Sequence, residues 1–363
     1  MTQAFSDEAY PRQLQEKLAK IQTLFSNCAL PEIELFDSPA RGFRMRAEFK
    51  IWHEGSRAHY AMYRQGEYKK PYFIDDFPQG FKTITQLMPP LLEAINASEL
   101  LRRKLFQAEF LTTLSGEALV TLIYHKKLDE QWDEAARPLQ QQFNMRLIGR
   151  SRGQKRVLDR DYVTETLTVS GRQYRYQQIE SSFTQPNAIV CEKMLGWAVK
   201  HSAGAGGDLL ELYCGNGNFT LPLAQNFERV LATELAKSSV KSAQYNMALN
   251  GIGNIETVRM SSEDFSQALD KVRPFRRLQH LELDSYRFTT LFVDPPRAGL
   301  DPHTTEIARR FERVIYISCN PETMHRDIVA LQSSHKISAF ALFDQFPFTD
   351  HIECGAVLEK SIA

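Results

Sequence analysis

The chain has few cysteines and no long apolar segment. Its five cysteines are scattered and include no Cys-x-x-Cys pair, which argues against a disulfide framework, a zinc site and an iron–sulfur cluster. No apolar run approaches the roughly 18 residues that a membrane-spanning helix needs. The first residues, MTQAFSDEAYPRQ, are polar and acidic, unlike a secretory signal. These absences predict a protein of the reducing cytoplasm with neither a metal site nor a membrane partner.

The composition also lacks an excess of charge of either sign. Lys and Arg together number 44, as do Asp and Glu, so no overall positive charge indicates a nucleic-acid partner. With 43% hydrophobic residues among 363, the chain is long enough to fill more than one core. The two halves differ in pattern, and we predict domains 1–184 and 185–363.

The C-terminal half alternates strand-like and helix-like segments. Short apolar runs are separated by helical patterns and short connections, which is typical of a doubly wound parallel sheet. We therefore predict a Rossmann-like α/β domain. Its predicted strands are 208–213, 230–234, 255–259, 289–293, 313–318, 337–343 and 353–359, and its predicted helices include 219–226, 236–250 and 301–312.

The N-terminal half has a different pattern. After an amphipathic helix around residues 7–25, RMRAEFKI (44–51) alternates polar and apolar side chains, as a strand with one buried face does. Residues 107–124 have the pattern of a hairpin that turns at Ser115-Gly116. The stretch 146–160 is rich in basic residues. We predict an α+β domain with an antiparallel sheet, helices on one side and a partly basic, RNA-binding face.

A glycine-containing loop, CGNGNF (214–219), follows the first predicted strand of the C-terminal half. Gly215 and Gly217 precede a predicted helix, and small residues at such a turn let a ligand approach the backbone. A dinucleotide fingerprint would have a third glycine at 220, where this chain has Thr220. A pyrophosphate ligand is therefore disfavoured, whereas S-adenosylmethionine, which has no phosphate, is compatible with the loop.

Acidic residues follow the next three predicted strands. Glu234 ends the second strand, where a carboxylate can accept hydrogen bonds from ribose hydroxyls. Asp264, after the third, can reach an adenine edge, although an ordinary solvated acid is an equal alternative. Asp294 ends the fourth strand, because the two prolines that follow it in DPPRAGLD cannot donate backbone hydrogen bonds. We expect Asp294 at the carboxyl edge of the sheet, where open α/β folds bind ligands.

Cys319 follows the fifth strand, in RVIYISCNPETMHRD (313–327), with Pro321 in the first turn of a predicted helix. The helix N-terminus and a nearby Arg297 or Arg326 would favour the thiolate. A thiolate beside a methyl donor suits uracil, because addition to carbon 6 makes carbon 5 nucleophilic. Inert packing is the alternative, and it is the commoner role of a cysteine.

Such a reaction needs a base that removes the proton from carbon 5. The segment DHIECGAVLEK (350–360) has His351 and Glu353 at the start of the last predicted strand. We predict Glu353 as the base and keep His351 as the second candidate. A salt bridge at the sheet end is the non-catalytic alternative for Glu353.

These motifs together resemble one family. ELYCGNGNFTLPLA, FVDPPRAGLD, YISCNPETMHRD, FDQFPFTDHIECGAVL and SSFTQPN are similar to the motifs of RNA 5-methyluridine methyltransferases, and RMRAEFKIWH, LRRKLFQAEFLTTLS and LIYHKKLD resemble the tRNA branch, the tRNA (uracil-5-)-methyltransferases. The resemblance covers nearly the whole chain. It implies S-adenosylmethionine as methyl donor, the T-loop uridine of tRNA as substrate and the cytoplasm as location. Other RNAs with a T-like arm are left open, as is the oligomeric state, with a monomer favoured.

The resemblance also implies the site residues, by the match of motif to motif. The nucleophile falls on Cys319 and the base on Glu353. The contacts with S-adenosylmethionine fall on Gln185, Tyr213, Asn218, Glu234 and Asp294.

Two alternatives from different classes stay open. A ribosomal-RNA uridine methyltransferase is the first, although the chain lacks both the four-cysteine site and the length for the additional barrel that such relatives often have. A non-catalytic RNA-binding or refolding module is the second, and the presence of Cys319 and Glu353 argues against it.

The N-terminal half offers residues for RNA contact. A loop uridine must leave its stack before it can reach a buried site, and RNA-binding proteins hold unstacked bases with aromatic faces and the backbone with arginines. A place for Phe106 in the core is an equal alternative to a role in stacking. The candidates are Arg44, Arg46, Phe106, His125, Lys126, Lys127 and the stretch 146–160.

Overall fold

The computed structural model describes residues 8–64, 66 and 71–361. They form two compact units: the first holds residues up to Ser38, residues 167–176 and residues from Ile189 onwards, and the second holds Pro39–Thr166 and Gln177–Ala188.

The helices in chain order are α1 (Ala9–Leu24), α2 (Lys82–Ala97), α3 (Glu99–Arg102), α4 (Glu130–Gln142), α5 (Ala188–Ser202), α6 (Thr220–Leu223), α7 (Lys237–Asn250), α8 (Ser262–Leu269), α9 (Pro302–Ala308) and α10 (Pro321–Leu331). The strands are β1 (Ile33–Phe36), β2 (Arg46–Glu54), β3 (Arg57–Met62), β4 (Tyr72–Phe73), β5 (Leu105–Thr112), β6 (Ala118–Tyr124), β7 (Arg146–Ser151), β8 (Gln154–Val157), β9 (Tyr162–Val169), β10 (Arg172–Ile179), β11 (Asp208–Leu212), β12 (Val230–Glu234), β13 (Ile255–Arg259), β14 (Phe288–Val293), β15 (Arg313–Ser318), β16 (His335–Phe343) and β17 (Glu353–Lys360).

The first unit is built on an eight-stranded sheet with the order β1-β16-β17-β15-β14-β11-β12-β13. Neighbouring strands are parallel, except that β17 runs antiparallel to both β15 and β16. Every residue of β11 is buried, as expected of a strand in a parallel sheet that is covered on both faces. The predicted doubly wound α/β fold is confirmed.

Most predicted elements of this unit agree with the structure. The strands 230–234, 255–259 and 313–318 coincide with β12, β13 and β15. The predicted helix 301–312 is shorter than expected, because α9 ends at Ala308 and the chain turns there to enter β15. The predicted helix 219–226 consists of α6 and a following 3₁₀ turn.

The N-terminal segment belongs to the first unit. Strand β1 pairs in parallel with β16, from Ile33 opposite Phe340 to Phe36 opposite Phe343. The predicted single boundary between residues 184 and 185 therefore differs from the division in the structure, where residues before Pro39 join the first unit and Gln185 stays in the second. No local sequence pattern shows that β1 joins the first unit, because its partner β16 lies near the other end of the sequence.

The second unit contains a seven-stranded sheet with the order β4-β3-β2-β5-β6-β7-β8. All neighbours are antiparallel except β6 and β7, which pair in parallel. Helix α4 connects these two strands, and a helical crossover is the usual connection between parallel neighbours. The prediction of an antiparallel sheet is correct for every pair but this one.

Helices cover one face of the second sheet. Phe49 of β2 is buried in a core with Leu91 of α2 and Trp132 of α4, whereas its neighbour Glu48 is exposed. This confirms the alternation predicted for residues 44–51. The predicted hairpin is formed by β5 and β6, and Gly116 in its turn has the left-handed φ of +91°.

Among the described residues, no helix is both long enough and apolar enough to cross a membrane. In the same part of the chain, no group of three or more His, Cys, Asp or Glu side chains is arranged to hold a metal ion.

Candidate active site

Three predicted site residues lie at one edge of the sheet in the first unit. Strands β14 and β15 pair in parallel, so Asp294, directly after β14, lies beside the end of β15. Strand β15 pairs antiparallel with β17, with Ser318 opposite Cys354, which puts Cys319 next to Glu353. The strand pairing therefore brings Asp294, Cys319 and Glu353 together, although they are far apart in the sequence.

Cys319 is half-buried, whereas the other four cysteines are buried. Helix α10 begins directly after it, with Pro321 in its first turn and the Asn320 side chain accepting a hydrogen bond from the backbone N–H of Glu322 at 3.2 Å. The Asn320 side chain also donates to the carbonyl oxygen of Arg297 at 3.0 Å. The start of the helix is thus tied to the loop that follows β14.

A cavity of about 490 Å³ opens beside Cys319. It is bounded by α1, the first turn of α10, Arg297 and residues 350–352. Clefts of a few hundred Å³ are the usual size for small-molecule sites. The cavity can therefore accept a ring that Cys319 is to attack.

The surroundings of Cys319 do not favour its thiolate. Burial raises the pKa of the Cys319 thiol, and the nearby carboxylates of Glu353 and Asp294 raise it further, while Arg297 lowers it by a smaller amount. The Arg326 guanidinium is engaged elsewhere and donates to Asp327 Oδ1 at 2.7 Å. The expectation of a stabilised thiolate is therefore wrong for the chain by itself, because burial and two acids outweigh one arginine.

The pKa values of the carboxyl groups at this edge are raised. Glu353 is 4% exposed, and burial together with Asp294 raises its pKa well above the ordinary value. Burial raises the pKa of Asp294 to about 7. A carboxylate with a raised pKa is a better proton acceptor, so these surroundings suit the predicted role of Glu353.

A further acid in this region was not predicted from the sequence. Glu211 of β11 is buried, its Oε2 has no hydrogen-bond partner among the described residues, and burial with the nearby charge of Asp294 raises its pKa to about 8. An acid within the apolar interior of the strand DLLELY, away from Asp208 at its start, is the signal that indicates it. Glu211 is therefore a third carboxyl group with a raised pKa in this region.

His351, the second candidate for the base, has different surroundings. It is exposed at the wall of the cavity, and its Nδ1 lies 3.1 Å from Nη2 of Arg297. Because an arginine can only donate, His351 accepts this hydrogen bond through an unprotonated Nδ1. The ring is thus held by Arg297 rather than by the acids around Cys319.

The loop after β11 has the backbone that was expected of a ligand-binding turn. Gly215 and Gly217 have left-handed φ angles of +57° and +85°. Tyr213 has φ +65°, a strained conformation for a residue with a side chain. Its hydroxyl is held by Ser262 Oγ at 3.0 Å and Asp301 Oδ2 at 3.3 Å. A Cβ on Gly215 would meet nothing within 4 Å, so the loop borders open space.

Glu234 lies at the end of β12, as predicted. Its Oε2 accepts a hydrogen bond from the Gly215 N–H at 3.1 Å, and its Oε1 accepts one from the Ala236 N–H at 2.7 Å. Each carboxylate oxygen can accept more than one hydrogen bond. Glu234 therefore braces the loop and keeps acceptor capacity for ribose hydroxyls.

The other predicted cofactor residues have varied surroundings. Asn218 Nδ2 lies 3.4 Å from the Cys191 sulfur. Asp264 forms an ion pair with Arg273 at 2.9 Å. Gln185 belongs to the second unit, whereas Tyr213, Asn218, Glu234 and Asp294 belong to the first. The ligand contacts of all these residues stay predictions.

Phe106 lies on the surface of the second unit. Its side chain is 36% exposed, so the alternative of a place in the core is excluded. The ring stacks on His125 with centroids 4.2 Å apart and planes at 23°, and Lys50 Nζ lies 4.3 Å from its centroid. An exposed aromatic pair beside a cation is what base stacking requires, and the RNA contact stays a prediction.

The arginines predicted to contact RNA are less available. Arg46 Nη2 donates to the carbonyl oxygens of Glu180 and Ser182 at 3.1 and 3.0 Å. In the stretch 146–160, Arg152 is the basic residue that forms no ion pair with any described residue. The others pair as Arg146–Asp159, Arg150–Glu180, Lys155–Asp161, Lys155–Glu180, Arg156–Asp133 and Arg160–Glu117.

The first unit has the fold of the α/β methyltransferases, and Asp294, Cys319 and Glu353 lie together at one edge of its sheet. A family model described as tRNA (uracil-5-)-methyltransferase matches residues 9–361, and the chain belongs to this family. The resemblance inferred from the sequence motifs is thus confirmed.

Curated relatives and a solved structure agree with this assignment. A tRNA/tmRNA (uracil-C(5))-methyltransferase from Cellvibrio japonicus is 57% identical over 359 residues, which cover 99% of this chain and 98% of the relative. The protein of that name from Vibrio cholerae (strain O395) is 53% identical over 360 residues, covering 97% of each chain. The crystal structure of Pyrococcus abyssi tRNA (uracil-54, C5)-methyltransferase in complex with S-adenosyl-L-homocysteine has the same fold, with a TM-score of 0.73 at 22% identity over 96% of this chain and 83% of that one.

Proposed function

We propose that this chain transfers the methyl group of S-adenosylmethionine to carbon 5 of the T-loop uridine of tRNA, through a covalent bond between Cys319 and carbon 6. The observation that carries the proposal is the convergence of Cys319 with the buried acids Glu353 and Asp294 beside a cavity. Membership of the family and the names of relatives at 53–57% identity support it.

The side chains account for the chemical steps. The Cys319 thiolate adds to carbon 6, and the electron pair of the carbon 5–carbon 6 double bond moves to the oxygen on carbon 4. Carbon 5 then forms a bond to the sulfonium methyl group, the bond between that methyl group and sulfur breaks, and S-adenosylhomocysteine is the leaving group. Glu353 accepts the remaining proton on carbon 5, the double bond forms again and the carbon–sulfur bond breaks. The product leaves with the thiolate restored, and Glu353 releases its proton.

The methyl donor has a natural place along the loop after β11. Gly215 leaves the backbone open to the methionine part, Gly217 lets the loop pack closely against Leu221, and Glu234 has acceptor capacity for the ribose. A cation beside Asp294 offsets the carboxylate charges that raise the pKa of Cys319, so a bound sulfonium favours the attacking thiolate. The predicted donor contacts are Gln185, Tyr213, Asn218, Glu234 and Asp294.

The second unit is the proposed RNA-binding part. Phe106, His125 and Lys50 offer a stacking face beside a cation, which suits an unstacked loop base. The relatives' names include tmRNA as well as tRNA, so we propose that any RNA with a T-like arm is a candidate substrate. A cytoplasmic location follows from such substrates.

The test uses tRNA that contains 5-fluorouridine, together with S-adenosylmethionine. Fluorine on carbon 5 cannot leave as a proton does, so the covalent complex is trapped. We expect peptide mapping to locate the bond on Cys319 and Cys319→Ala to form none. Attachment at Cys191, Cys214 or Cys354 would contradict the assignment. Preferential methylation of ribosomal RNA over tRNA would favour a ribosomal-RNA uridine methyltransferase. Absence of methyl transfer to either RNA would favour a non-catalytic RNA-binding module.

A further inference from the structure

Helix α1 is fastened to the loop between β16 and β17. Lys17 is 2% exposed and donates to Asp344 Oδ1 at 2.7 Å and to the carbonyl oxygen of Phe346 at 2.9 Å. Gln13 Oε1 accepts a hydrogen bond from the Phe348 N–H at 2.6 Å. Because Lys17 and Asp344 are both buried and paired, separating them would leave charges without partners. The helix is therefore a fixed part of the unit that contains Cys319.

This attachment makes α1 one wall of the cavity beside Cys319. Leu24, which is half-buried, gives that wall an apolar surface, with Ile21 buried behind it, and Lys20 lies at the rim with 59% of its side chain exposed. Arg297 lines the same cavity. An apolar wall suits a pyrimidine and its ribose, and cations at the rim suit the phosphates on either side of a nucleotide.

The partner of Lys20 is easily exchanged. Lys20 Nζ lies 3.0 Å from Asp350 Oδ1, but the Asp350 side chain is 97% exposed. Exposed ion pairs of long, mobile side chains contribute little to stability. A phosphate offers a charge-assisted hydrogen bond in the same place, so Lys20 can leave Asp350 for RNA without disturbing the fold.

We propose that α1 is part of the substrate site: the target nucleotide lies in this cavity, against Leu24, and Lys20 binds its phosphate. This inference rests on the proposed function and adds a substrate-binding element outside the motifs that carry the chemistry.

The first test is Lys20→Ala, with tRNA as the probe. Loss of one phosphate contact lowers the slope of log affinity against log salt by about 0.7–0.9 and weakens binding roughly three- to tenfold at 0.1 M salt. We expect KM for tRNA to rise by a similar factor with kcat and S-adenosylmethionine affinity little changed, and Lys20→Arg to restore wild-type values. Arg12→Ala, an exposed cation of α1 that does not line the cavity, is the matched control and leaves the slope unchanged.

Asp350→Ala separates phosphate binding from a structural salt bridge. If Lys20 acts only by holding Asp350, the two alanine variants behave alike and the inference is overturned. If Lys20 binds phosphate, Asp350→Ala leaves tRNA affinity unchanged or raises it, because a competing carboxylate is gone. A wild-type slope and KM in Lys20→Ala would also overturn it. If the wild type does not methylate tRNA, the proposed function is contradicted instead. The role of Lys20 is tested separately in either case, by the affinity for tRNA and the dependence of that affinity on salt.

Discussion

At the scale of single residues, the proposed chemistry depends on how charges surround Cys319. Burial and two acids raise the pKa of the thiol, and Arg297 lowers it by a smaller amount. The sequence analysis identified Cys319, Glu353, Asp294 and Arg297. It nevertheless indicated a stabilised thiolate, because the helix N-terminus and the arginines can be recognised in the motifs whereas burial cannot. The balance of these effects is a property of the folded sheet edge.

The first prediction concerns the ionisation of Cys319. Its raised pKa means that the thiolate fraction is small at neutral pH and grows as the pH rises, so alkylation of Cys319 by iodoacetamide should accelerate up to a midpoint above the ordinary thiol range. Arg297→Ala should move this midpoint higher, since the opposing cation is gone. Mass spectrometry of the Cys319 peptide measures the rate at each pH.

The control for this experiment is Arg326→Ala. Arg326 bonds to Asp327, so its loss should leave the midpoint in place. An unchanged or lower midpoint in Arg297→Ala would show that Arg297 does not act on the thiol.

The second prediction separates proton removal from methyl transfer. Glu353→Gln removes the proposed base and also one of the acids that raise the pKa of Cys319. We therefore expect faster addition of the thiol, normal methyl transfer and then a methylated covalent complex that does not break down. Denaturing gels and mass spectrometry of the RNA–protein adduct detect it. His351→Gln is the matched control, and normal turnover of Glu353→Gln with a stalled His351→Gln would make His351 the base.

At the scale of elements, the strands predicted most accurately from the sequence are those that lie in a sheet covered on both faces. Strands β12, β13 and β15 were located to the residue, because parallel strands under helices are short continuous apolar runs. Strand β1 was missed, since its half-buried residues have no such pattern and its partner β16 lies at the other end of the chain. The parallel pair β6–β7 was missed because strand direction depends on the intervening α4, not on the strands themselves.

The third prediction concerns the loop between β11 and α6. Glu234→Ala removes both the proposed ribose contact and the brace on Gly215. A hydrogen bond to a charged group contributes about 1.5–3 kcal/mol, so S-adenosylmethionine affinity should fall roughly ten- to a hundredfold, as measured by calorimetry. Glu228→Ala, an exposed acid just before β12, is the control and should bind the donor normally. Equal affinity of Glu234→Ala and wild type would remove Glu234 from the donor site.

At the scale of the whole molecule, the sequence indicated two units but not how the chain passes between them. Residues up to Ser38 and residues 167–176 belong to the first unit, although they precede the predicted boundary in the sequence. The basic stretch 146–160 shows a related limit. Its charge suggested an RNA-binding face, yet most of its cations are paired within the second unit, and only the fold shows which acids lie opposite them.

The last prediction tests the second unit as the RNA-binding part. If the Phe106–His125 pair stacks on an unstacked base, Phe106→Ala should weaken tRNA binding by the equivalent of about 1–3 kcal/mol and reduce methylation of intact tRNA. Its melting temperature should change little, since Phe106 is partly exposed. Phe73→Ala is the matched control, because Phe73 is also exposed on this sheet and stacks on His59 with centroids 4.7 Å apart. The measurements are tRNA affinity, methylation rate and thermal unfolding for both variants. Equal losses in the two variants would show a general effect of surface aromatics, and wild-type binding by Phe106→Ala would move the stacking face away from β5.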